Sequence, residues 1–368
     1  LSGRAFMPMI MGFGCSVPAM INTRTLADDK ERTATVRVIP FFSCGAKLPI
    51  LTAIAGAIMG ESGNADFITY GMYLLGIIVA ICSVLLMRST TLKGETPPFI
   101  MELPSYHLPQ FKNLMAHLWD KCKHFIKKAF TIILASTIVI WVLSSFSWNW
   151  EFLLEEVTDE MVAAYPALKG LEGEVINIRI NESILGSLGM FFQPLFTPLG
   201  FGSQLNRNGW VFVVAAVAGL IAKENVIATF GTLASCLVVS AGMDLGGPGA
   251  VAKILADVED TGVLAAQAMT VATGISTAGL LSFIAFNMTT IPCFAAVGTA
   301  KAELGDKKTF NGTLLFWIVT SYVVGSMVYT IGEFPWTIAL WAVAIALTVV
   351  GVIYWNKLKN KNKSRVLG

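Results

Sequence analysis

Long apolar runs separated by short charged islands make up almost the whole chain. Phe67–Met87, Ala129–Trp150, Thr309–Gly332 and Phe334–Asn356 carry no charge, and each is long enough as a helix to cross about 30 Å of hydrocarbon. The longest such run, Thr261–Ala300, has 40 uncharged residues. Ala5–Thr23, Ser183–Asn206 and Asn225–Met243 are shorter or are broken by Gly and Pro, and read as spans, re-entrant segments or interfacial helices. The pattern predicts an all-α, polytopic membrane helical bundle with some discontinuous or re-entrant helices.

Composition agrees with that class. Apolar residues make up 55% of the 368 and charged residues 14%, against about 25% charged in a soluble domain. The mean hydropathy is +0.67. A net charge of +2 offers nucleic acid no strong attraction. The chain opens LSGRAFMPMI, without an initiator Met, and is expected to be a fragment whose earlier part is missing. It has no GxxxxGK[ST] loop, so a nucleotide is not bound by that route.

The islands set the expected orientation, because Lys and Arg gather in cytoplasmic loops. Arg24, Lys30, Arg32 and Arg37 mark one inner loop. Arg88, Lys93 and the lysines from Lys112 to Lys128 mark a second, Lys301, Lys307 and Lys308 a third, and Lys357–Arg365 a basic cytoplasmic tail. Glu151–Glu182 is strongly acidic and reads as outer. Pro97–Lys128 reads as an amphipathic helix on the cytoplasmic surface leading into a span. His117 and His124 fall there and are taken as interfacial polar residues, not a metal pair.

Three places combine broken backbone with polar or soft groups. In GFGCSVP, Gly14, Cys15, Ser16 and Pro18 adjoin one another, and PFFSCGAKLP brings Ser43 and Cys44 beside Pro40. In GLIAKENVIATFG, Lys223, Glu224 and Asn225 divide an uncharged run of 15 residues from one of 19. Each charge in such a setting costs roughly 2.5–3.5 kcal/mol on insertion scales. The segment reads as a helix interrupted near the bilayer centre, against the alternative of a solvated cytoplasmic turn. In NMTTIPC, Pro292 frees a carbonyl one turn earlier, beside Asn287 and Cys293. Of the six cysteines none forms a CxxC pair, which argues against structural zinc. Cys82 and Cys236 lie in smooth apolar sequence and read as packing. Thiols favour soft or borderline metals over Mg²⁺ or Ca²⁺.

GFGCSVPAMINTRTL, PFFSCGAKLP, GLIAKENVIATFGTL and IPCFAAVGTAKAELG, in this order, resemble the membrane region of the ferrous iron transport protein B family. The chain departs from that family's pattern in Asn225 and in the GTAK run at Gly298–Lys301. The resemblance implies Fe²⁺ import across a bacterial inner membrane with the C-terminus cytoplasmic. Cys15, Cys44 and Cys293 would be metal ligands lining the path, and Lys223–Glu224 the second gate. No enzyme activity and no cofactor are expected of this chain. GTP and Mg²⁺ would belong to a missing N-terminal G domain, which would be a partner along with the lipid bilayer, small cytoplasmic accessory proteins and further copies of the chain. Gly12 with Thr25-Leu26 and Gly219 with Thr232-Leu233 share a spacing of thirteen residues, as paired discontinuous helices in two halves would.

The expected division is a first gate segment at 1–60, membrane helices at 61–150 with the amphipathic segment at 97–128, an acidic outer loop at 151–182, a second gate region at 183–243, C-terminal membrane helices at 244–356 and the tail at 357–368. Fe²⁺ would meet sulfur from Cys15, Cys44 and Cys293, oxygen from Ser16, Ser43, Asn287 and freed carbonyls, and a carboxylate or a Lys223 latch at Glu224. Two other readings stand beside it. One is a transporter of another substrate, either a different divalent metal or a nucleoside, for which Asn22, Asn225 and Asn287 could serve. A non-transporting receptor or scaffold would have no use for an intramembrane Lys-Glu pair.

Overall fold

The computed structural model describes residues 3–26, 28–60, 65–90, 110–177, 179–202, 208–221, 223–240, 249–260 and 262–366. The amphipathic prolines of 97–109, together with Lys93 and His107, lie outside the described residues, as do the side chains of His117 and His124. The expected all-α bundle is what forms. Its helices are α1 (Phe6–Met11), α2 (Ser16–Asn22), α3 (Asp29–Val38), α4 (Leu48–Met59), α5 (Ala65–Thr90), α6 (Phe111–Ser145), α7 (Asp159–Ala164), α8 (Ile184–Phe196), α9 (Trp210–Ile221), α10 (Asn225–Ser240), α11 (Ala250–Asp260), α12 (Val263–Thr273), α13 (Thr277–Thr289), α14 (Phe294–Leu304), α15 (Lys307–Glu333) and α16 (Thr337–Val366).

Four segments among the described residues are long and apolar enough to cross a membrane: Asp29–Met59, Ala65–Thr90, Thr277–Leu304 and Lys307–Glu333. The protein is a multi-pass membrane protein. Two of these spans are smooth and two are broken. The first broken span is α3 and α4, joined through 3₁₀ turns at Ile39–Phe41 and Gly45–Lys47. The second is α13 and α14, parted by Thr290–Cys293. The 40-residue uncharged run becomes α12, α13 and most of α14. Gly274 at φ +65° ends α12, a conformation glycine adopts without cost, and Ser276 caps α13 by accepting from the Gly279 amide at 3.2 Å. α9 has 12 residues, about 18 Å of helix, and cannot cross alone.

Elsewhere the chain runs on where a boundary was expected. α6 is one helix of 35 residues, so the amphipathic segment from Phe111 onward and the span after it are a single element. α16 has 30 residues and continues from the last apolar run into the basic tail, since no proline interrupts it and lysines propagate helix well. The acidic stretch after α6 is a small folded cap, not an open loop. β1 (Glu155–Glu156) pairs antiparallel with β2 (Val175–Ile176), and Leu153, Val157, Leu168 and Ile176 are buried beneath.

Two apolar cores hold the bundle. One gathers α4, α9, α10, α12 and α13 around Phe201, Phe212, Phe230 and Phe283. The other gathers α2, α3 and α14 around Met20, Val36, Phe41 and Trp317. Both broken spans pass from one core to the other at their breaks. Val36 and Ile39 belong to the second core and Ile50 to the first; Phe283 belongs to the first and Ala296 to the second.

Candidate functional site

The site is built where four helices begin. Cys15 is the capping residue of α2, in extended backbone. Cys44 caps the turn that opens α4, and Cys293 caps α14. The fourth start is α10, preceded by the turn at Lys223 and Glu224. Proline and glycine chemistry sets these breaks. Pro292 has no amide to give the carbonyl four residues back, which is that of Met288. Gly12 closes α1 tightly, since a Cβ there would fall 2.8 Å from the Met9 carbonyl oxygen. The Gly45 amide donates to the Gly14 carbonyl at 3.3 Å and ties the first two breaks together.

The three half-buried cysteines share one neighbourhood. Cys15 lies within electrostatic range of Cys293, Cys44 and Glu224, and Cys293 within range of Cys44, Glu224 and Lys223. Among the described residues no three His, Cys, Asp or Glu side chains stand at metal-holding distance, so the thiols do not form a closed cage.

Lys47 holds the centre. Its ammonium is buried and donates to the Pro40 carbonyl and to the Met288 carbonyl, each at 2.6 Å. Both are carbonyls freed by a helix break, one on each broken span, and Met288 is the group that Pro292 leaves without a donor. Lys47 thus stitches the two spans at the level of Cys44 and Cys293. Ser43 adds a contact across the same seam, its hydroxyl 3.4 Å from Met288 Sδ. The sequence carries a sign of Lys47, the single charge between Arg37 and Glu61, although its two acceptors cannot be read from it.

Lys223 and Glu224 part company. Lys223 is buried, and its Nζ finds no hydrogen-bond partner among the described residues, while Glu224 is exposed. No ion pair joins them among the described residues, so the expected latch between them is not formed. Adjacent side chains in a turn point apart, and here one turns into the bundle and the other out. The stem of Lys223 passes Gly219, where a Cβ would lie 3.9 Å from Lys223 Cδ and 3.1 Å from Asn287 Oδ1. Asn287 is fully buried; its Nδ2 donates to the Phe283 carbonyl at 3.0 Å, and among the described residues its Oδ1 and Asn225 Nδ2 have no partner. Ser16 and Pro292 are buried, whereas Gly14 and Pro18 are exposed. Pro18 sits in the first turn of α2, where a proline displaces no helical bond. Asn22 lies apart and donates to Met11 Sδ at 3.2 Å.

A second cross-link escaped sequence reasoning. Arg24, just after α2, forms an ion pair with Glu303 near the end of α14 at 2.7 Å. The partners are 279 residues apart in sequence, and no local pattern connects them.

Residues 1–58 and 126–307 match the Gate family, described as Nucleoside recognition, and residues 69–121 match Ferrous iron transport protein B C terminus. The Fe(2+) transporter FeoB of Helicobacter pylori is 33% identical over 332 residues, covering 88% of this chain and 47% of that protein. The namesake from Staphylococcus aureus is 30% identical over 333 residues, covering 90% and 41%. That of Salmonella typhi is 28% identical over 392 aligned residues, covering 100% and 47%. The chain therefore spans under half the length of these relatives. No solved structure matches it.

Proposed function

We propose, for a chain that belongs to the ferrous iron transport protein B family and corresponds to its C-terminal membrane region, that the seam between its two broken spans is the path of Fe²⁺ into the bacterial cytoplasm. The observation that carries this reading is that Lys47 bonds a freed carbonyl on each broken span beside Cys44 and Cys293, with Cys15 within electrostatic range of both. Non-helical backbone at membrane depth is tolerated where it is buried in protein or lines a cavity. Sulfur with neutral oxygen suits borderline Fe²⁺.

The ion is taken by stages. Exposed Glu224 supplies the outlying carboxylate, the cysteines supply sulfur, and Ser43, Ser16 and the unpartnered Oδ1 of Asn287 supply oxygen. Ligands held apart bind weakly and in succession, and conduction needs binding that can also be released. The buried Lys223 sets an electrostatic barrier beside the thiols, which the path must offset. The basic tail supports reading the C-terminus as cytoplasmic, and nucleotide chemistry is assigned to the G domain expected before this region.

The test is anaerobic ⁵⁵Fe²⁺ uptake by the full-length protein in cells lacking other ferrous importers, at matched expression. Cys15→Ser and Glu224→Ala are each expected to lower uptake. Uptake at the parent rate in both variants removes this path. A nucleoside carrier would show uptake competed by nucleosides, which Fe²⁺ import would not.

A further inference from the structure

The two helices that begin at Cys15 and Cys293 are joined at both ends. At their starts the thiols lie within electrostatic range of each other. At their far ends Arg24 Nε donates to both carboxylate oxygens of Glu303, at 3.0 and 2.9 Å, and Nη2 stands 2.7 Å from Oε1. Cys15 to Arg24 is about 14 Å of helix and Cys293 to Glu303 about 15 Å, at 1.5 Å per residue. α2 and α14 pack against each other and therefore run side by side and parallel, thiols at one end and ion pair at the other.

Glu303 is not placed there for the helix. A carboxylate in the last turn meets the negative end of the helix dipole and is unfavourable. It is also buried, 4% exposed, while Arg24 is 62% exposed. Removing one partner of such a pair leaves a charge uncompensated. One half is thus fixed in the protein and the other half faces outward, free to swing away. Both residues stand on the side that the Lys and Arg islands mark as cytoplasmic.

We propose that the Arg24–Glu303 pair is the inner latch of the path, holding α2 and α14 together so that the thiol region stays closed toward the cytoplasm. Release of Arg24 lets the far ends part while the starts remain held, that of α2 by the Gly45–Gly14 bond and the α13–α14 break by Lys47, and opens an exit from the cysteines. The latch rests on the reading of this seam as the transport path, and its test can fail separately from that reading.

The experiment measures labelling of the site cysteines Cys15, Cys44 and Cys293 by a membrane-impermeant maleimide in inverted vesicles holding the full-length protein, with Cys82, Cys122 and Cys236 replaced by Ala. Arg24→Glu and Glu303→Arg are each expected to speed labelling by about tenfold, the effect of roughly 1.4 kcal/mol on an opening equilibrium. The double exchange Arg24→Glu/Glu303→Arg is expected to return the rate toward the parent. Parent-like rates in the single variants, or a double exchange as fast as the singles, overturn the latch. Arg24→Lys, which keeps the charge and loses the two-pronged contact, covers reversals that fail to reach the membrane: a rate above the parent supports the latch, and an equal rate overturns it. Labelling needs no iron, so a protein that labels as expected yet carries no Fe²⁺ refutes the transport reading and leaves the latch standing.

Discussion

The smooth spans and the broken spans of this bundle do different work. In α5 and α15 only 28% and 22% of the most apolar window is buried in protein, whereas in Asp29–Met59 and Thr277–Leu304 the shares are 61% and 67%. An unbroken helix satisfies its own backbone and can face lipid. A broken one exposes carbonyls that need donors, so it must sit inside the bundle beside side chains able to provide them. The breaks in turn gather the cysteines, the buried lysines and Asn287. The chemistry lies where the backbone is irregular because irregular backbone survives only under that cover.

The largest expected effect comes from removing the cover. Lys47→Met strands the Pro40 and Met288 carbonyls. At roughly 1–3 kcal/mol per buried unsatisfied group, thermal unfolding in detergent should shift down sharply, and Lys47→Arg should recover part of the loss. A melting temperature unchanged in Lys47→Met would show that the broken spans hold themselves.

A smaller effect separates two glycines on one smooth helix. Gly76 of α5 faces the break, where a Cβ would fall 2.6 Å from the carbonyl oxygen of Phe41, while Gly71 has open space. Gly76→Ala should destabilise by about 1–3 kcal/mol, as overpacking does. Gly71→Ala should be neutral or gain up to about 1 kcal/mol from helix propensity. Equal melting shifts in the two variants would erase the distinction between the faces.

The smallest lies outside the spans. Asp306 caps α15, and acceptance of the Thr309 amide, with the Thr309 hydroxyl and the Lys308 amide, holds its carboxyl below the usual carboxylate value. A depressed value means that the cap contributes fully above the ordinary carboxylate range and fades as pH falls through the lowered value. Hydrogen exchange at the Lys308 and Thr309 amides should therefore show greater opening in acid than the intrinsic chemistry predicts, and Asp306→Ala should remove that acid-dependent step.

The membrane class and the places of the breaks were legible because both are local. Charge-free length marks a span, and Gly12, Pro40 and Pro292 mark where backbone bonds end. The continuity of α6 and α16 was not legible, since a change from apolar to basic residues signals an environment and not a helix end. Lys223 and Glu224 read as a pair because they are neighbours, yet a turn sends their side chains apart. Lys47 and the Arg24–Glu303 bond depend on partners about 240 to 280 residues away, which only the folded chain brings near.

The central claim is that cysteines at breaks carry the ion and cysteines in smooth helix do not. The direct measurement is anaerobic ⁵⁵Fe²⁺ uptake by full-length protein with Cys15, Cys44 and Cys293 all changed to Ser, beside a variant with Cys82→Ser and Cys236→Ser at equal membrane abundance. The account predicts uptake lost in the first and retained in the second. Retained uptake in the triple variant, or equal loss in both, would contradict it.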